Sequence, residues 1–294
     1  MTGEARTVGC RLLEAADDVR GAVVPVAILY PATAPERTER FGPYPVDVAL
    51  DSPPDGERLG VVAISHGNGG SPWTHRVLAS ALARAGYAVV LPEHVGNSRS
   101  DNSLAGTAAN LENRPRHLAL ALDAVFAGPV IGPRLAADGV AVIGHSIGAY
   151  TALAAAGGRP WAGPHETEDG QPRPVRVAAD PRVRALVLLA PATPWFLPEG
   201  SLAEVRVPIL LRASEQDAIS PSWNAEIVIN GVADAARVEH AVVPGAGHFS
   251  FLSPFPPAMV RPDFPPSQDP EGFDRAAYQE VLRDDVLAFL RRHS

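Results

Sequence analysis

Three separated places in the chain carry residue types that can do chemistry together. Ser146 stands at the centre of Gly144-His145-Ser146-Ile147-Gly148, Asp217 follows the apolar run 207–213, and His248 lies in the glycine-flanked stretch Pro244-Gly245-Ala246-Gly247-His248. A serine hydroxyl is a weak nucleophile near neutral pH. It can attack a carbonyl only when a base removes its proton and an acid orients that base. The chain order Ser146, Asp217, His248 is the order that a G-x-S-x-G elbow leads one to look for. Glu215, two residues before Asp217, is the competing acid, and Asp217 is preferred. The negative charge that would develop on the attacked oxygen needs backbone N–H donors. Ile147, directly after the serine, supplies one. The second is expected from His66-Gly67-Asn68-Gly69-Gly70, with Asn68 as donor through its main chain and Gly67 and Gly69 shaping the loop. This glycine-rich stretch lacks the spacing and the lysine of a phosphate-binding loop.

The elements around these residues read as strands alternating with helices. The apolar run Gly139–Ile143 leads into the elbow, and the small-residue run Ala149–Ala156 leads out of it. That is strand, tight turn, helix, with the glycines allowing strand and helix to approach closely. Runs 61–65, 87–91, 185–190, 207–213 and 238–243 read as further strands, with 61–65 a central one buried on both faces. Ser71 and Pro72 open a helix to Ala85 that Gly86 closes. A second helix is expected from about Pro115 to Gly128, with Leu118, Leu122 and Val125 on one face. A last one is expected to open at Asp269, with Tyr278, Val281, Leu282, Val286 and Leu290 as its apolar stripe. Pro25 places the run 21–31 at a sheet edge. Residues 32–54 read as a surface connection with one short strand at 46–50. The segment 158–182 reads as a surface excursion or a small lid, and the proline-rich 252–270 as a wall of the site or a rigid loop. The expectation is a single domain over 1–294, with a mostly parallel sheet covered by helices on both faces.

Composition narrows the partners. A net charge of −8 argues against nucleic acid or an anionic membrane, which need clustered positive charge. All 25 basic residues are arginine, so no lysine is present to act as a nucleophile. The one cysteine, Cys10, allows no internal disulfide and reads as a passive small residue. Nine histidines occur without a metal-binding pairing, so no metal is expected. His66 and His145 read as supports of loop shape. The polar start Met1–Arg6 has no leader-like apolar stretch and no run reaches the length of a membrane span, so the expected localisation is cytoplasmic. Trp73, Trp195 and Phe249 fall near strand ends and are candidates to line a substrate pocket.

From about Val23 to Phe289 the chain resembles the α/β-hydrolase superfamily, and within it bacterial proteins akin to dienelactone hydrolases and platelet-activating-factor acetylhydrolases. The pieces that carry the likeness are Leu29-Tyr30-Pro31, Ser65–Gly70, Asn113-Arg114-Pro115-Arg116, Gly144–Gly148, Pro244–Leu252 and Gly272-Phe273-Asp274-Arg275. The resemblance implies a serine-dependent acyl hydrolase without cofactor, acting on a small-molecule ester or other acyl substrate. Dienelactone hydrolases carry cysteine at the elbow where this chain has Ser146, which weighs against a dienelactone. In the acetylhydrolases the acid follows the strand after the elbow, where Pro191 stands here; that favours Asp217 and weighs against a phospholipid. The leading expectation is hydrolysis of a carboxylic ester or lactone through an acyl-enzyme. Thioester cleavage or acyl transfer at the same residues is the alternative, and a catalytically silent binding protein of this fold is the alternative of another class.

Overall fold

The computed structural model describes residues 6–293. Of the N-terminal stretch expected to carry no leader, Met1–Ala5 lies outside the described residues. The chain runs β1 (Thr7–Asp17), β2 (Ala22–Ala32), β3 (Arg37–Phe41), β4 (Tyr44–Leu50), β5 (Leu59–Ser65), α1 (Arg76–Arg84), β6 (Tyr87–Pro92), α2 (Ala108–Ala127), β7 (Leu135–His145) and α3 (Ile147–Ala155). It continues through β8 (Trp161–Ala162), β9 (Arg173–Pro174), β10 (Val183–Leu189), β11 (Ile209–Ser214), α4 (Trp223–Gly231), β12 (Val238–Val243) and α5 (Arg275–His293). Ten strands form one sheet in the order β12-β11-β10-β7-β5-β6-β2-β1-β4-β3, while β8 and β9 pair separately. From β12 to β6 all pairings are parallel; β2 then runs antiparallel to both β6 and β1.

Alternation along the central strands builds two cores. Val61, Ala63, Val140, Val142, Leu186 and Leu188 face α2, α3 and α4. Their neighbours Val62, Ile64, Ala141, Ile143, Val187 and Leu189 face α1 and α5. A side-chain period of two sends successive residues to opposite faces, and helices on both sides make both faces apolar. Parallel strands also put all their carboxyl ends on one rim, so the loops after β5, β7, β11 and β12 meet there.

Several local expectations give way to tertiary pairing. Pro25 is not at an edge, because β2 lies inside the sheet. Its pairing with β6 covers only Val26–Leu29, so Pro25 sits just past the end of that ladder, where its carbonyl still accepts from the Glu93 N–H. Residues 32–54 are more than a connection. They hold a β3–β4 hairpin that extends the sheet beyond β1, with Val46 and Val48 buried. Helix α2 starts at Ala108 rather than near Pro115, because the Thr107 hydroxyl caps it by accepting from the Asn110 N–H. Pro115 is tolerated inside it for a specific reason. A proline there deprives the carbonyl four residues back of its donor, and the Tyr150 hydroxyl donates to that Leu111 carbonyl at 2.9 Å. Helix α5 begins at Arg275, not Asp269. Asp269 instead forms an ion pair with Arg275, and Val281 lies on the exposed side of the helix.

Candidate active site

Ser146 sits between β7 and α3 with φ 56° and ψ −123°, a left-handed backbone that a non-glycine residue adopts only at a cost of about 1–3 kcal/mol. The two glycines of the elbow make it possible. A Cβ on Gly144 would stand 2.2 Å from the Gly148 carbonyl oxygen, and one on Gly148 would stand 2.0 Å from that of Ser65. No side chain fits at either place, so strand β5, strand β7 and helix α3 close on one another and lift the serine to the rim.

His248 comes from the loop after β12, and its Nε2 lies 3.0 Å from Ser146 Oγ. Its Nδ1 lies 2.8 Å from Asp217 Oδ2. The other oxygen, Asp217 Oδ1, accepts the N–H groups of Ile219 at 2.8 Å and Ser220 at 2.7 Å. An ionised carboxylate only accepts, so Nδ1 carries the ring proton and Nε2 turns its lone pair toward the serine hydroxyl. Ser220 Oγ stands 3.1 Å from the same Nδ1, a second polar neighbour that nothing in the sequence pattern singled out. Glu215 does not reach the imidazole: its exposed carboxylate accepts from the Gly245 N–H at 2.8 Å.

The flanking histidines hold backbone. His145 Nε2–H donates to the His248 carbonyl at 2.9 Å, which fixes the loop that presents the His248 ring. His66 Nδ1–H donates to the Gly67 carbonyl at 2.8 Å while its Nε2 accepts from the His94 N–H at 3.1 Å. Burial pushes His66 down to about 3, with the charge of Arg114 adding to it. Burial likewise holds His94 and His145 well below the ordinary range, so these rings are neutral struts. Cys10 lies buried in β1 away from the site, its thiol pushed up to about 12 by burial.

The loop after β5 runs directly beside the serine. A Cβ on Gly67 would stand 3.4 Å from Ser146 Cβ and 3.0 Å from His145 Nδ1. Asn68 follows with its Oδ1 accepting from Asn97 Nδ2 at 2.6 Å, and Gly69 turns with φ +60°. Ile147 is the first residue of α3, and first-turn N–H groups have no partner inside their own helix. A cleft of about 200 Å³ opens over Ser146 and His248, and Gly67, Asn68 and Gly69 form part of its lining. Phe249 lines it too, set edge-on to the His248 ring at 5.0 Å. Leu252, Phe255, Phe264 and Pro266 show that the proline-rich stretch forms a wall, whereas no residue of 158–182 lines the cleft.

Two aromatic residues expected at the pocket lie elsewhere. Trp73 stacks on Phe41 at 3.8 Å in a neighbouring groove, because β3 folds back over the helix start. Trp195 packs against Tyr150 and donates its Nε1–H to Glu166 at 2.7 Å, behind the elbow helix. Nearness to a strand end in sequence does not say on which side of the sheet a ring is packed. Among the described residues, no group of three or more His, Cys, Asp or Glu is arranged to hold a metal ion, and no helix is long and apolar enough to cross a membrane.

A tight strand-to-helix turn holds Ser146 on a mostly parallel sheet, and later strand ends deliver Asp217 and His248 to it. Residues 60–207 match the profile of the α/β hydrolase fold, and the chain belongs to that family. Among solved structures, it is similar to a ferulic acid esterase from Streptomyces cinnamoneus, with a TM-score of 0.71 and 21 % identity over 98 % of this chain and 90 % of that one. No curated protein matches it.

Proposed function

We propose that this chain is a serine-dependent acyl hydrolase that cleaves carboxylic esters of small molecules through an acyl-enzyme. The observation that carries the reading is the unbroken series from Asp217 Oδ2 to His248 Nδ1 at 2.8 Å and from His248 Nε2 to Ser146 Oγ at 3.0 Å. Ser146 Oγ attacks the ester carbonyl carbon as its proton passes to His248 Nε2. The carbonyl π electrons move to oxygen, and the Ile147 and Asn68 main-chain N–H groups receive that oxyanion. On collapse, the bond to the alcohol oxygen breaks and His248 returns the proton to the leaving alcohol. Water then attacks the acyl-serine with His248 again as base, which frees the acid and restores the hydroxyl. Asp217 keeps the proton on Nδ1 throughout and stabilises the imidazolium that forms at each step.

The cleft supports a short or medium acyl group, since about 200 Å³ of mostly apolar space lies over the serine. A fluorophosphonate probe should label the wild-type protein at Ser146 and leave Ser146→Ala and His248→Ala unlabelled. p-Nitrophenyl esters of rising chain length, run beside matched acyl thioesters, then rank the substrates. Equal labelling of Ser146→Ala and wild type would defeat the assignment. Labelling without ester turnover would shift it to thioester cleavage or acyl transfer.

A further inference from the structure

Arg114 interrupts the apolar stripe of α2. Leu111 and Leu118 flank it on the buried face, yet the arginine between them has no exposed surface at all. A buried cation is ordinarily paired with a carboxylate. Among the described residues Arg114 has no such partner. All its acceptors are neutral: Nε donates to Thr151 Oγ1 at 3.0 Å, Nη1 to Asn97 Oδ1 at 2.5 Å, and Nη2 to Ser65 Oγ at 3.3 Å and to the His66 carbonyl. Burial lowers its pKa to about 9, so it remains charged near neutral pH.

These acceptors lead to both N–H groups assigned to the oxyanion. On one side, the guanidinium has donors only, so Asn97 must turn its oxygen inward and its NH2 outward. That NH2 donates to Asn68 Oδ1 at 2.6 Å and to Asn102 Oδ1 at 2.7 Å. The bond to the His66 carbonyl pins the same loop one residue before Gly67. On the other side, the Thr151 hydroxyl that accepts from Nε donates in turn to the Ile147 carbonyl at 3.2 Å. One side chain therefore braces the loop after β5 against the helix after the elbow.

We propose that Arg114 is the positioning residue of the oxyanion hole, a buried cation that ties the loop bearing Asn68 to the helix bearing Ile147 and lies behind the site where negative charge develops. The inference rests on the acyl-hydrolase reading above. A preset positive potential matters little to a neutral ester and much to the anionic tetrahedral species, so its effect belongs to kcat rather than KM.

The test is a variant series, Arg114→Met, Arg114→Lys and Asn97→Ala, with Arg116→Met as the control on the same helix, where the arginine pairs with Asp17 instead. Each is measured for melting temperature, for kcat and KM on a p-nitrophenyl ester, and for the rate at which a fluorophosphonate modifies Ser146. Arg114→Met should lower kcat by about 10²-fold, in the range of losing one oxyanion donor, with KM within about threefold. Arg114→Lys keeps the charge without the fork and should lie between, as should Asn97→Ala, and phosphonylation should slow in the same order. Arg116→Met should react at the wild-type rate. If Arg114→Met fails to fold, Arg114→Lys and Asn97→Ala decide the matter. Folded Arg114→Lys and Asn97→Ala that are phosphonylated at the wild-type rate would overturn the proposal, as would a loss confined to KM. Should no variant or wild type cleave the ester while the phosphonylation series still holds, the positioning role stands and the ester reading falls.

Discussion

Asp217→Asn exchanges one carboxylate oxygen for an NH2 group of nearly equal size, and the structure dictates which. Two backbone N–H groups, from Ile219 and Ser220, point at Oδ1, so the amide oxygen must stay there. The NH2 then takes the place of Oδ2, 2.8 Å from His248 Nδ1. A donor in that position needs an acceptor, and the ring proton moves from Nδ1 to Nε2. The nitrogen 3.0 Å from Ser146 Oγ thereby becomes a donor and ceases to be a base. The equivalent change in a Ser-His-Asp hydrolase lowers kcat by about 10⁴-fold, or about 5.4 kcal/mol of activation free energy. Ser220 Oγ, 3.1 Å from Nδ1, can still accept a hydrogen bond from Nδ1–H and preserve some of the active tautomer, so the loss here is expected between about 10³- and 10⁴-fold. Folding should change little, because the two backbone donors keep their acceptor. Glu215→Gln is the companion. Its amide oxygen can accept from Gly245 as the carboxylate does, so kcat should stay within about twofold. Steady-state rates on a p-nitrophenyl ester and the phosphonylation rate of Ser146 measure both. Comparable losses in the two variants, or more than a tenth of the activity left in Asp217→Asn, would refute the reasoning.

Acid should destabilise the fold before carboxylates protonate. Burial pushes His66 down to about 3 and His75 and His117 down to about 4, from an ordinary value of 6.5. The unfolded chain binds those protons first, so the three histidines favour the fold above pH 6.5 and lose that contribution as pH falls toward 4. Each is worth at most about 1.4 kcal/mol per pH unit in that window, about 4 kcal/mol together one unit below the ordinary value. Melting temperatures should drop steeply below pH 6.5, and a flat profile down to pH 5 would contradict this. Among the elbow glycines, Gly148→Ala drives a Cβ to 2.0 Å from a backbone oxygen and should cost about 4 kcal/mol or more in chemical denaturation. Gly67→Ala meets a ring nitrogen at 3.0 Å, Ser146 Cβ at 3.4 Å and the His145 carbonyl oxygen no nearer than 3.5 Å, so it should fold and lose activity instead. Tyr150→Phe removes the donor on the Leu111 carbonyl and should cost about 1–3 kcal/mol. Pro115→Ala in that background restores an N–H for the same carbonyl and should recover part of the loss; an additive double-mutant cycle would disprove the link.

Local pattern alone was enough for the frame of the site. Continuous apolar runs as short as 61–65 and 139–143 favour strands buried on both faces, and the spacing of Gly144, Ser146 and Gly148 between a strand and a small-residue run favours a tight strand-to-helix turn. Parallel strands then force the stretches holding Asp217 and His248 to the same rim, and both side chains lie within hydrogen-bonding distance there. Periodicity and capping are properties of neighbours in sequence, so they can be read without coordinates. Partners distant in sequence cannot. Pro25 reads as an edge residue until β6 is seen to stop beside it, and Pro115 reads as a helix start until the Tyr150 hydroxyl is found on Leu111. Trp73 packs into the core under α1 and α5 and Trp195 against the core on the opposite face, while Phe249 stays at the cleft, and nothing in their sequence neighbourhoods separates the three. Arg114 was visible in the sequence only as part of Asn113-Arg114-Pro115-Arg116, one of the pieces that carry the family likeness, and the expected helix began after it. Its acceptors come from β5, the loops after β5 and β6, and α3, and only the folded chain brings those four together, because hydrogen bonding is a matter of a few ångströms in space and not of distance along the chain.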